Sequence, residues 1–158
     1  MRLGLSAIII CLSSAACAEI HTNNTAGISI DIPSVWKLDA KGEVMTGQSA
    51  DDTVGLMFWV VDQADSKEAL KLLDKQIDKV VTRASWEKPK ERAINGLKGF
   101  SVDGKGTVAG KQADLMVALL GPTPTHKGII VFAAVEHAKA EPHKVELMNI
   151  FASLKPAK

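Results

Sequence analysis

The stretch Val54–Asp62 constrains the fold of this chain more than any other segment. Side chains alternate across a strand with a period of two, which puts Val54, Leu56, Phe58 and Val60 on one side and Gly55, Met57, Trp59 and Val61 on the other. Both sides are apolar. Such a strand is either central in its sheet or covered by a second layer, so the chain must build layers around it.

The segments around it supply those layers. Ile28, Ile30 and Ile32 alternate with polar residues and share one face of a half-buried strand that Pro33 ends. Trp36 follows in a turn-like stretch, as a lid on the core, and Glu43 to Ser49 forms a further strand before the turn Ala50-Asp51-Asp52-Thr53. Asp65 can cap a helix, with Glu68 at the capping-box spacing. Leu70, Leu73, Ile77, Val80 and Ala84 then recur at steps of three and four, on a single helical stripe, with Lys71, Asp74, Lys75, Asp78 and Lys79 on the solvated side. From Trp86 the pattern is extended, and Lys88-Pro89-Lys90 suits an edge strand because proline cannot donate to a ladder. Asn95-Gly96 marks a tight turn. Lys98 to Val108 and Lys111 to Leu120 read as a hairpin around Ala109-Gly110, with Asp103-Gly104 as an alternative turn. In its second arm Leu115, Val117 and Leu119 share one face, and Met116, Ala118 and Leu120 the other. Gly121 to Gly128 is rich in turn formers and should be an exposed loop. Ile129 to Val135 is the next strand, and a last helix starts near Pro142 and docks through Leu147, Ile150, Phe151 and Leu154.

At the start of the chain, Arg2 precedes the apolar run Leu3 to Leu12, and small residues follow up to Ala18. That order is the one an export signal needs, and the run is too short to span a bilayer, which takes about twenty apolar residues. We therefore expect residues 1–18 to be a signal peptide and residues 19–158 to form one domain, periplasmic or secreted. Both cysteines, Cys11 and Cys17, fall in the removed segment, so the mature chain has no thiol. The alternative is cleavage before Cys17 and lipidation of that residue, which would make the protein a membrane-anchored lipoprotein. Of the 158 residues, 19 are Lys or Arg and 18 are Asp or Glu. Arg2 is the one charge in the signal segment, so the mature domain is neutral overall and lacks the basic excess that would displace counterions from nucleic acid.

The side chains able to do chemistry are scattered. None of His21, His126, His137 and His143 forms the helical i, i+4 pair of a zinc hydrolase, and Glu136-His137 with Glu141 and His143 has no diagnostic metal spacing. No serine lies in a nucleophile-elbow sequence. Gly104-Lys105-Gly106 with Gly110 lacks any phosphate-loop spacing and reads as strand glycines that admit a packed neighbour. Asp51-Asp52, and Asp62 with Asp65, are turn and cap residues rather than a calcium cage. We expect no enzyme activity, no cofactor and no resident metal.

The whole pattern resembles the PsbP-like and DcrB-like superfamily, which also includes a nuclear Ran-binding protein. The resembling residues are Gly27 to Pro33 followed by Trp36, the long helix before Trp86, Asn95-Gly96-Leu97 with Gly99, and the terminal Ile150-Phe151-Ala152-Ser153-Leu154-Lys155. The resemblance implies an α+β fold, an antiparallel sheet of about six or seven strands packed with two helices, and an extracytoplasmic accessory role without catalysis. It carries over no functional residue. The apolar surplus on the sheet then points to a surface for a cell-envelope protein partner, made by Met57, Trp59, Val61 and Met116 and assisted by Pro122, Pro124 and His126 of the loop. Two other functions fit the same features: binding of a small apolar ligand or lipid in a helix–sheet pocket, and inhibition of, or immunity to, an exported toxin.

Overall fold

A computed structural model of the chain describes residues 18–62 and 66–157. The expected signal segment, apart from Ala18, and the expected Asp65 cap lie outside the described residues. Among the described residues eleven strands and two helices follow in the order β1 (Ala18–Asn23), β2 (Ile28–Pro33), β3 (Lys37–Lys41), β4 (Val44–Gln48), β5 (Val54–Asp62), α1 (Ser66–Val80), β6 (Val81–Trp86), β7 (Lys90–Ile94), β8 (Leu97–Val108), β9 (Lys111–Gly121), β10 (Lys127–Glu136), α2 (Ala140–Ser153) and β11 (Lys155–Pro156). A 3-10 turn, His137–Lys139, leads into α2. The fold is α+β, with one large antiparallel sheet and two helices.

That main sheet has eight strands, in the order β3-β4-β5-β10-β9-β8-β6, with β7 pairing β8 off this path. A second sheet of three strands is ordered β1-β2-β11. As the two-sided apolar pattern demanded, β5 lies inside the main sheet, between β4 and β10. β10 is its most buried neighbour, with Ile129, Ile130 and Val131 all sealed from solvent. On one face of the sheet Val54, Leu56, Phe58 and Val60 join Val131, Ala133, Ala118 and Leu120. Ile28, Ile30 and Ile32 of the small sheet and Ile150 and Leu154 at the end of α2 close over them. On the other face Val61, Ile130, Leu115 and Ala113 pack under Leu73 and Ile77 of α1. The helix thus places the stripe read from the sequence onto the sheet.

Several local expectations hold. Asn95 and Gly96 both take positive φ, 47° and 91°, between β7 and β8, and Ala109 and Gly110 do the same at the β8–β9 turn. Asp103 and Gly104 lie inside β8, so the alternative turn there is not used. Gly104 and Gly106 do admit packed neighbours: a Cβ at Gly104 would come within 2.5 Å of the Trp86 ring, and one at Gly106 within 2.5 Å of a Val81 methyl. Trp36 is buried in the core.

Four details differ. The α1 stripe stops at Val80, which is 55% exposed, and Ala84 belongs to β6. Val80, Val81 and Thr82 are β-branched, which weakens a helix, and Val81 and Thr82 pair with Val108 and Thr107 of β8 instead. Arg83 takes a φ of 55° where the β6 register shifts. β1 and β3 carry only a short and mostly exposed apolar alternation, Ala18 and Ile20 in one and Leu38 and Ala40 in the other, too little to mark a strand; backbone pairing to β2 and β4 makes them strands. Finally, Pro89 lies between β6 and β7 rather than within an edge strand.

Candidate functional site

The expected contact residues fall into three places. Met57, Trp59 and Val61 project from β5 to the α1 side of the main sheet, where Val61 is buried and the other two are half-buried beside the helix. Met116 projects to the opposite side and packs on the α2 layer. The register requires this separation, because Met116 and Leu56 both stand opposite Ala133, whereas Met57 stands opposite Phe132. Pro122, Pro124 and His126 are exposed at the end of the sheet. Their loop is anchored to the β1–β2 turn by the Thr125 hydroxyl, which donates to the Thr25 carbonyl at 2.7 Å. The structure therefore keeps Met57 and Trp59 together and removes Met116 from their surface.

Residues not singled out from the sequence extend that surface. Leu119, Val117, Phe132 and Ala134 lie half-buried on the α1 side with Met57 and Trp59. Phe100 stands opposite Leu119, on the same face, and is 39% exposed. Trp86, whose ring lies over Gly104, is 40% exposed. One narrow amphipathic helix cannot cover a sheet this wide. Period-two counting marks all these positions as apolar, but it does not say where the helix will cross.

The polar groups converge elsewhere, at a joint between α2 and the β4–β5 turn. His143 of α2 sits between two carboxylates, with Nδ1 at 2.9 Å from Glu146 Oε2 and Nε2 at 3.1 Å from Asp51 Oδ2. Carboxylate oxygens only accept, so both ring nitrogens must donate and the geometry fits an imidazolium. The His143 pKa is accordingly raised, first by the bond to Glu146 and then by Asp51, against the opposing effect of burial. Asp51 is held well below the usual carboxylate range, chiefly by the hydroxyls of Thr53 and Ser49, with His143 adding to them. Thr53 Oγ1 and Ser49 Oγ each donate to it at 2.7 Å. The Trp36 indole N–H donates to the other Glu146 oxygen at 3.0 Å, tying the same joint to the core.

These groups spend their hydrogen bonds on one another and on the backbone. Ser49 Oγ donates to Asp51 and accepts from the backbone N–H of Thr53 and Val54, so it has no contact with an imidazole base. His137 bonds Asp114 and Glu136 pairs with Lys111, so the histidine and glutamates near the start of α2 go to different partners. Among the described residues no group of three or more His, Cys, Asp or Glu side chains is placed to hold a metal ion. No helix among them is long and apolar enough to cross a membrane.

No family model and no curated protein matches the sequence. Solved structures do. CyanoP, the cyanobacterial PsbP from Synechocystis sp. PCC 6803, superposes with a TM-score of 0.64 at 12% identity, covering 96% of this chain and 97% of its own. LpqN of Mycobacterium tuberculosis, described as involved in cell envelope biogenesis, gives 0.59 at 10% identity and covers 83% of each chain. The Ran-binding protein Mog1p of Saccharomyces cerevisiae gives 0.56 at 10% identity, covering 91% of this chain and 97% of its own. Identities this low report architecture and leave chemistry open. With nearly the full length superposed on CyanoP, the chain has the PsbP-like fold that its strand, turn and helix pattern implied.

Proposed function

We propose that this chain is a non-catalytic accessory protein of the cell envelope that binds another protein through the α1 side of its main sheet. The observation that carries the reading is the apolar band that α1 leaves half-covered: Met57, Trp59 and Phe132 near the helix, with Phe100 and Trp86 exposed beyond it. Aromatic and methionine side chains at a partly open surface are the types that anchor protein contacts. The polar cluster at His143 supports the non-catalytic half of the reading, because its hydroxyl, imidazole and carboxylate groups are committed to one another. The fold adds context. One protein that shares it is named for binding Ran and another for envelope biogenesis.

The test is site-specific photo-crosslinking in the native cell. A photoreactive side chain at Met57 or Phe100 should yield an adduct with one defined envelope protein. The same group at Lys144, on the exposed side of α2, should not. Trp59→Ala should reduce the Phe100 adduct while leaving the fold intact by circular dichroism. Equal adducts from Met57 and Lys144, or none from the α1 side, would overturn the proposal.

A further inference from the structure

At the corner of the main sheet where β6, β8 and β9 lie side by side, the face that carries Met116 turns polar. Residues directly opposite in an antiparallel pair share a face, and so do residues two apart on one strand. Lys105 stands opposite both Ser85 and Asp114, and Thr107 stands opposite Gln112, so these five side chains share that face. With Arg83 and His137 they border a depression of about 410 Å³. Arg83, Ser85, Lys105, Gln112 and His137 are exposed, so an occupant can reach them from solvent. Arg83 comes to this corner through a bulge: Thr82 pairs with Thr107 and Ser85 with Lys105, which leaves Arg83 and Ala84 together opposite Gly106. Bulges re-aim side chains, and Arg83 holds a φ of 55° in this one.

The charges at this corner do not balance in the usual way. A lysine directly across from an aspartate is placed to pair with it. Here Asp114 instead accepts from Nδ1 of His137, its two oxygens at 2.9 and 3.0 Å. Neither the Lys105 ammonium nor the Arg83 guanidinium has an ion-pair partner among the described residues. Two cations thus border one depression whose carboxylate is already engaged. We propose that this corner binds a phosphomonoester, its phosphate held between Arg83 and Lys105. Charge and donor number select that group. A phosphomonoester carries about −1.5 to −2 charges at neutral pH and so balances two cations, where a carboxylate or a phosphodiester balances one. Its three terminal oxygens can take the planar fork of Arg83 and the point charge of Lys105 together. The Ser85 and Thr107 hydroxyls and the Gln112 amide add donors, and none of these three side chains donates elsewhere among the described residues. The corner lies on the face opposite the α1 band, so it stands independently of the proposed protein contact.

Titration of the purified full chain with inorganic phosphate and with glycerol 1-phosphate, followed by calorimetry and by backbone amide resonances, tests this. Both should bind one to one at physiological ionic strength and shift the amides of residues 83–85, 105–107 and 112–114. Glycerol and acetate at the same concentrations should leave those amides in place. Arg83→Gln and Lys105→Gln should each weaken phosphate by about tenfold, the effect of losing one charge-assisted contact, with the melting temperature unchanged. Lys98→Gln, exposed elsewhere on β8, should change neither. If the Arg83 variant disturbs the bulge, the Lys105 variant decides. Sedimentation with phosphatidic acid vesicles that Lys105→Gln weakens would make a lipid head group the source; binding of the soluble esters without such sedimentation would make it a small molecule. The proposal is overturned by no saturable binding at millimolar phosphate, by binding that physiological salt abolishes, by equal binding of acetate, or by an equal loss in Lys98→Gln.

Discussion

At the scale of single residues, the joint at His143 makes a prediction with a definite sign. Its folded pKa is raised by Glu146 and Asp51, so its contribution to stability is fully present below the unfolded value near 6.5 and is lost as pH rises through the raised one. Asp51 is depressed in the folded state, so its contribution is present above the ordinary carboxylate range and is lost as pH falls through the lowered value. The joint is therefore tightest in mildly acidic solution. The melting-temperature gap between wild type and His143→Gln should be a few degrees in mildly acidic solution and should narrow as pH rises through the raised value; a gap independent of pH would contradict the imidazolium assignment. Glycines give a second residue-scale contrast. A Cβ at Gly99 would lie 1.9 Å from the Leu119 carbonyl oxygen, whereas one at Gly55 meets nothing within 4 Å. Gly99→Ala should cost about 1–3 kcal/mol of unfolding free energy by urea titration, the usual penalty for overpacking. Gly55→Ala should cost less than about 0.5 kcal/mol. Both glycines look alike in the sequence, because the difference comes from how closely β8 and β9 approach.

Among the elements, α1 separates what periodicity can read from what it cannot. Leu73 is 2% exposed beneath the helix, and Leu73→Ala should destabilise the fold by about 2–5 kcal/mol through transfer and cavity costs. Val80, which lies on the same stripe by spacing, stands outside the core, so Val80→Ser should change stability by less than about 0.5 kcal/mol. Equal losses in the two variants would put the helix end back at Ala84. The strands with a marked apolar pattern, alternating in β2 and near-continuous in β5, β9 and β10, and the Asn95-Gly96 and Ala109-Gly110 turns were legible because one residue type or one local pattern decides each. β1, β3 and β6 were not, since Ala18–Asn23, Lys37–Lys41 and Val81–Trp86 become strands through backbone pairing with a neighbour distant from view in a local window. The surface was half legible for a related reason. Alternation assigned Met57 and Trp59 to a common face, but relating β5 to β9 needs the register of the strand between them, which sends Met116 to the other side. The joint at His143 assembles from residues far apart in sequence, and no spacing rule reaches it.

The scale of the whole molecule brings in compartment and chain processing. If the protein is exported and cut after Ala18, intact-mass analysis of material from its native host should give a chain beginning at Glu19, without thiols and indifferent to reducing agents. A mass matching a chain that begins at an acylated Cys17 would instead establish the anchored form. Either form leaves the same layered body, a broad sheet clad by one helix on one side and by a helix and a small sheet on the other.

β5 ends at Asp62, and its partner β10 does not begin until Lys127. The middle of the sheet is consequently a keystone that arrives late: until residues 127–136 are delivered, β5 has no inner neighbour and β9 has only β8. Contacts of such long sequence separation are slow to form, because loop closure must come before any of them is made. If the chain is exported unfolded through a narrow channel, as the proposed envelope role requires, that delay would keep the middle of the sheet open until residues 127–136 had followed β5 through.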